Sequence, residues 1–249
     1  MYRLTLDLRA QSSSYHWGST FHGMLISVLP PEMAEGFHGE GRQPFSQWLE
    51  PLDHERLRWH LQTLTDEAGE ALAEALAAAP VLYSSRMRME FPVLHTQCEH
   101  QDLETVLSDC LQREQVPKGL RLDVKTPVSH KSDGRYVHFP VIPLMLQGIR
   151  RRVLQVWPDF ILGEEEAMEA VVSAVQLGRY RLQSAVFGIG GAYALGYTGQ
   201  MDLNLIGGDD ANRLAWFLLE ISEWCGIGIK TALGMGGVTV TRLTGGRKG

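Results

Sequence analysis

Residues 2 to 8 alternate Tyr2, Leu4, Leu6 and Leu8 with Arg3, Thr5 and Asp7, the period of a half-buried strand. After Gly18 the period changes. Phe21, Met24, Leu25 and Val28 fall at i, i+3, i+4 and i+7, one face of a helix. Pro30-Pro31 interrupts it, and a second helical turn is expected from Met33-Ala34 to Phe37. Phe45 to Leu49 reads as a weak strand. Leu57 to Leu64 is a better one, with Leu57, Trp59 and Leu61 on one side. Thr65 can then cap a helix through Ala79, whose Ala, Leu and Glu content favours that state. Val81 to Phe91 returns as a strand. The order β-α-β-β-α-β is that of the ferredoxin-like unit.

The order then recurs. After a helical link from Asp102 to Gln112, Leu120 to Lys125 alternates as a strand and is expected to stop at Thr126-Pro127. Ile142, Met145, Leu146, Ile149, Val153 and Val156 form a long helical stripe. Two strand regions punctuated by glycine follow, Gln176 to Phe187 and Ala192 to Ile206. Leu214, Phe217, Leu218, Ile221 and Cys225 supply a second stripe, and Val238 to Leu243 closes as a strand. The reading is α+β: two tandem ferredoxin-like (RRM-like) domains, one at 1–94 and one at 118–249, joined by a segment at 95–117 that carries a helix. The same order appearing twice in one chain supports it more than either half alone.

Composition adds limits to this picture. With 44% hydrophobic and 21% charged residues among 249, the chain can fold and bury a core. No apolar run approaches the ~20 residues that a membrane-spanning helix needs, and the N-terminal alternation does not read as a signal peptide. Cys98, Cys110 and Cys225 are too few and scattered for a disulfide framework, so a reducing cytoplasm is the expected setting. His95, Cys98 and His100, with Cys110 beyond, match no standard zinc spacing, and no metal is expected. A net charge of −6 argues mildly against a nucleic-acid partner but does not say where the charges lie.

The most specific local signal is the stretch 226–237, where Gly226, Gly228, Gly234, Gly236 and Gly237 lie between the last helix and the last strand. Glycine this dense is needed where backbone takes positive φ or comes into contact with something else. Successive free N–H groups in such a loop can also hold an anion. It is not a Walker A loop, because Lys230-Thr231 lacks the preceding spacer and glycine. It is not a dinucleotide fingerprint either, because it follows a helix and enters a strand. On its own chemistry it serves equally well as a tight turn.

A Gly-hydrophobic-Gly, five residues, Gly-hydrophobic-Gly loop before the last strand of a second ferredoxin-like domain resembles the repeat-processing endoribonucleases of CRISPR systems. These are the sixth-numbered Cas proteins of the RAMP superfamily. Phe21-His22-Gly23, the stretch from Met33 through His38 and Arg42 to Phe45, and Thr126-Pro127 before the 140–157 helix are similar too. The resemblance implies that the chain binds CRISPR repeat RNA and cuts it once per repeat without a metal or other cofactor. The ribose 2′-OH would attack the adjacent phosphate, leaving a 2′,3′-cyclic phosphate and a 5′-OH. That chemistry needs a base, an acid and a cation for the phosphorane charge.

The resemblance places the catalytic histidine at His38, between Gly39 and Gly41. His22 and His16 are second candidates, and Arg42 is the candidate cation. Many relatives carry a tyrosine in the first helix. Here Ile26 stands near that position, or Tyr15 replaces it, so the second catalytic group is open. Arg150, Arg151 and Arg152 lie on a helix whose apolar face is already assigned. They form the expected phosphate track, extended by Lys230, Arg179 and Arg181. Acidic Glu164 to Glu166 and the 66–74 helix put the negative charge elsewhere.

Two other readings remain open. A catalytically inactive RAMP subunit of a CRISPR effector complex would keep the loop without needing His38, and a non-RNA anion-binding protein would need no basic track. Effector subunits are candidate partners beside RNA, and the expected state is a monomer or homodimer.

Overall fold

The computed structural model describes residues 1–31, 33–34 and 44–243. His38 and Arg42, with the Gly39 and Gly41 that flank His38, lie outside the described residues. The first sheet contains β1 (Tyr2–Arg9), β2 (Phe45–Pro51), β3 (Arg56–Thr63), β4 (Val81–Ser84) and β5 (Met89–His100) in the order β2-β3-β1-β5-β4. Every pairing in it is antiparallel. Helices α1 (Gly18–Val28) and α2 (Asp66–Ala77) complete this half.

Leu4, Leu6 and Leu8 of β1 are buried with Leu57, Trp59 and Leu61 of β3, as the alternation requires, and α1 adds Phe21, Met24 and Leu25. The Phe21 ring sits edge-on to both Trp59 and Phe91, with centroids 5.1 and 5.0 Å away, a favourable arrangement for aromatic rings.

The second half contains β6 (Gly119–Val128), the short hairpin β7 (His130–Ser132) and β8 (Arg135–Val137), β9 (Val175–Ile189), β10 (Ala192–Leu205) and β11 (Val238–Arg242). Its main sheet has the order β11-β6-β10-β9. Helices α3 (Leu103–Gln112), α4 (Ile142–Val156), α5 (Glu165–Ser173) and α6 (Asp209–Cys225) complete it. Its core joins Leu120, Leu122 and Val124 of β6 to the expected stripes: Met145, Leu146, Ile149 and Val153 from α4, and Phe217, Leu218 and Ile221 from α6. Without β4 and the β7–β8 hairpin, both sheets have the ferredoxin-like strand order.

Four local details differ from the expectation. The strand read as Val81 to Phe91 is two strands, because the chain turns at 85–88. There Arg88 has φ 52°, and the Ser84 hydroxyl accepts from the Met87 N–H at 3.2 Å. β5 continues to His100, so 95–100 is strand. Helix α3 sends Val106 and Cys110 into the second core. β6 runs through Thr126-Pro127, because β11 has already left its flank after Val124. There Pro127 need only offer its carbonyl, which accepts from Gly236 N–H at 3.1 Å. Finally, the acidic run at 164–166 opens helix α5, where Glu165 and Glu166 occupy the first turn and favour its N-terminal dipole.

Candidate active site

The glycine loop determines where the two halves meet. Gly226 ends α6 with φ 71°, and the loop is fastened to β6 by three bonds. Ile229 N–H donates to Ser129 O at 2.9 Å, Gly236 N–H to Pro127 O at 3.1 Å, and Gly237 N–H to Thr126 Oγ1 at 2.9 Å. Its middle, the 3-10 turn Thr231–Leu233, leaves the second half and puts Ala232 into the first core. Gln47 on β2, which is fully buried, donates through Nε2 to Ala232 O at 2.6 Å and to Gly18 O at 3.1 Å. Its Oε1 accepts from Trp59 Nε1 at 2.6 Å, so the amide carries bonds on both sides. A Cβ on Gly234 would lie 2.9 Å from Gly18 Cα, so that glycine is required by contact with the start of α1.

Docking of the loop against α1 leaves a cleft of about 650 Å³ on the other side, closed by α4 and the β7–β8 hairpin. His22 of α1, Lys131 of β7, Arg151 and Arg152 of α4 and Lys230 of the loop line it, and Asp133 is the one acidic residue among the described lining. His22 is half-buried, with its ring nearly parallel to Phe45 at 5.7 Å. Phe45 begins β2, one residue after the described chain resumes beyond the segment that carries His38 and Arg42. Lys230 is exposed, and its backbone is left-handed, φ 57°. Four cations beside one imidazole make a site suited to a phosphodiester.

The three consecutive arginines of α4 part company. Successive residues on a helix are about 100° apart and cannot share a face. Arg150 turns to the loop before α5, donating to Leu162 O, to Gly163 O at 2.7 Å and to Glu165 Oε2 at 2.9 Å. Arg152 turns to the glycine loop, where it donates to Cys225 O at 2.8 Å, Gly226 O at 2.7 Å and Gly228 O at 2.8 Å. Its guanidinium neutralises the carbonyl end of α6, a structural use of the charge. Arg150 is thus turned away from the cleft, while Arg151 and Arg152 both line it, Arg152 with its guanidinium on the loop carbonyls.

His16 is not brought to His22. It stands in the 3-10 turn Tyr15–Trp17, exposed, with its ring 4.2 Å from that of Tyr15, and borders a different cleft. Arg179 and Arg181 are exposed on the edge strand β9 and do not line the first cleft. Cys98 is exposed on β5 while Cys110 is buried in the second core.

Lys131 was not anticipated. Its hairpin turns through Asp133 (φ 49°) and Gly134 (φ 77°), and the Asp-Gly pair is the signal that could have revealed it. Among the described residues, His130 is not part of the lining of this cleft. Burial alone pushes His130 down to about 4, with its Nε2 3.2 Å from the Tyr197 hydroxyl.

The family model for the CRISPR-associated endoribonuclease Cas6 matches residues 122–238, from β6 through the glycine loop to the start of β11. The Cas6 endoribonuclease of Mycobacterium tuberculosis is 26% identical over 233 residues, covering 91% of this chain and 72% of that protein. The chain is thus similar to Cas6 endoribonucleases over nearly its whole length. The Cas6 endoribonuclease of Streptococcus thermophilus is 24% identical over 223 residues and covers 88% of each. In three dimensions a Cas6 product complex superposes with a TM-score of 0.79 at 19% identity, covering 96% of this chain and 99% of that one. These likenesses support reading the chain as an endoribonuclease on the α+β fold described above. Among the described residues no helix is long and apolar enough to cross a membrane.

Proposed function

We propose that this endoribonuclease processes CRISPR precursor RNA by cutting within the repeat. The ribose 2′-oxygen attacks the adjacent phosphorus, the bond to the 5′-oxygen breaks, and a 2′,3′-cyclic phosphate and a 5′-OH remain. The 2′-OH proton passes to a base and an acid returns one to the departing 5′-oxygen, so no water is consumed in the cut. The observation that carries this reading is the cleft that His22 shares with Lys131, Arg151, Arg152 and Lys230. An imidazole titrates near neutrality and serves either proton transfer. Cations around the phosphate stabilise the extra negative charge of the phosphorane.

His38 and Arg42 enter through the resemblance, as the partner proton-transfer group and a further cation. Positions on either side of the reacting phosphate would let two histidines divide the roles of acid and base. The absence of a metal from the reaction likewise rests on the resemblance and is tested with EDTA.

Single-turnover cleavage of repeat RNA tests the reading. His22→Ala and His38→Ala should each slow the cut by about 10²–10⁴, the usual worth of a positioned acid or base. Binding should change little. A 2′-deoxy nucleotide on the 5′ side of the cut should block the wild-type protein, and EDTA should not. Cleavage of the deoxy substrate would overturn the mechanism, and full-rate cleavage by His22→Ala would remove that residue from it.

A further inference from the structure

A second cleft, of about 340 Å³, opens beside the N-terminal end of α1. Three separate elements wall it: the first turn of α1 with the preceding 3-10 turn, the turn between β4 and β5, and the tip of the β9–β10 hairpin. The tip reverses through Gly190 (φ 57°) and Gly191 (φ 99°), which puts Tyr193 directly across from Gly188. A glycine offers no side chain to cover a ring, and Tyr193 is 81% exposed, the most exposed large hydrophobic residue among those described.

Arg86 lies on the opposite wall, exposed in the 85–88 turn, with no hydrogen bond or ion pair among the described residues. His16 and the hydroxyl residues Ser19 and Thr20 complete the polar lining, and no carboxylate is among the described residues that line the cleft. An uncovered aromatic face, a guanidinium and a few hydroxyls are what an unpaired nucleotide requires. Its base stacks on the ring and its phosphate meets the cation. Trp17, Met87, Ile189 and Ala192 add apolar lining beside the ring, but a cleft of about 340 Å³ is too small for an amphipathic helix.

Position links this cleft to the first. Ser19 and Thr20 border the second cleft and His22 borders the first, within one turn of α1, or ~5 Å along its axis. An RNA strand held at His22 runs past Ser19 and Thr20 with its neighbouring nucleotide. We propose that the second cleft binds an unpaired nucleotide flanking the cut, with its base stacked on Tyr193 and its phosphate on Arg86. This inference rests on the function proposed above and adds a subsite to it.

Repeat RNA made uncleavable by a 2′-deoxy nucleotide at the cut is the probe. It is prepared intact and with a single abasic nucleotide at each position flanking the cut. Tyr193→Ala should weaken binding by about 5- to 150-fold, the range for loss of one base–aromatic stack. Tyr193→Trp should bind as tightly as wild type. At one flanking position the abasic substitution should weaken wild type by a similar factor and add nothing to Tyr193→Ala. Arg86→Ala should flatten log K against log salt by about 0.7, one phosphate contact on a single strand. If wild type cuts repeat RNA while Tyr193→Ala binds as wild type, or the two losses multiply at every position, the second cleft is not a nucleotide site. Competition by a peptide but not by RNA would overturn it in the same way. If wild type neither binds nor cuts repeat RNA, the proposed function fails, and the subsite fails with it.

Discussion

Gly236→Ala reports directly on how the glycine loop is held. Gly236 has φ 75°, and a Cβ built there lies 2.1 Å from the carbonyl oxygen of Ile227. Contacts under 3.0 Å are essentially never made by real Cβ atoms, so the backbone must move by roughly 1 Å. Two bonds stand in the way of that movement: Ile227 N–H to Gly236 O at 2.9 Å and Gly236 N–H to Pro127 O at 3.1 Å. Stretching both by about 1 Å takes them out of range, at roughly 1 kcal/mol each. The left-handed backbone adds about 1–2 kcal/mol once a Cβ is present. The expected loss is about 3–4 kcal/mol, or roughly 6–16 °C in Tm for a chain of this size.

Gly148→Ala is the matched control. It makes the same chemical change inside helix α4, where nothing lies within 4 Å of the new methyl. Removing a helix-interior glycine should stabilise by about 0.5–1 kcal/mol. Urea melts at constant m-value read both shifts as changes in midpoint. Opposite signs from one substitution type isolate backbone geometry as the cause. A Gly236→Ala midpoint within about 0.5 kcal/mol of wild type would refute the steric reasoning, and so would equal destabilisation by Gly148→Ala.

Arg152→Met should cost about 2–3 kcal/mol in the same melts, because three backbone carbonyls lose a charged donor, while the salt slope of RNA binding stays as in wild type. A flattened slope at unchanged stability would return Arg152 to the RNA interface. For His130 the folded value of about 4 lies below the ordinary 6.5, so the unfolded chain takes up the proton first as pH falls. Stability should therefore drop between about pH 6.5 and 4, by roughly 2 kcal/mol from pH 7 to pH 5, and His130→Gln should lack that share of the drop in pH-dependent urea midpoints.

Residues that face a core announced themselves by period. The stripes on α1, α4 and α6 and the alternation on β1 and β3 were legible because burial repeats every 3.6 or 2 residues. Limits set by hydrogen bonding were not. Pro127 reads as a stop, yet β6 passes it, since the loss of one donor is harmless where β11 has already departed. The run Arg150 to Arg152 shows a different gap. The helical step already says that three neighbours cannot share a face, but only the fold shows that carbonyls at 162–163 and 225–228 await two of them. Of the cleft, His22, Arg151, Arg152 and Lys230 were readable beforehand. Lys131 was hidden in a short hairpin that the ferredoxin-like pattern does not contain, and Tyr193 lay in a strand whose exposed tip no periodicity marks.

Lys230 adds an argument from backbone energy. The stretch from Gly226 to Gly236 has five residues at positive φ, and Lys230 is the only one of them that is not glycine. A left-handed conformation costs an L-residue about 1–2 kcal/mol that glycine avoids. The bonds around it fix that conformation whatever side chain it carries, because its carbonyl accepts from Leu233 N–H at 3.0 Å and Met235 N–H at 3.3 Å. Glycine would therefore serve the loop better as a turn. A side chain that the fold does not need, held exposed at an energetic cost, points to a use outside the fold. The cleft shared with His22, Lys131 and Arg151 is where its ammonium group can repay that cost, on a phosphate.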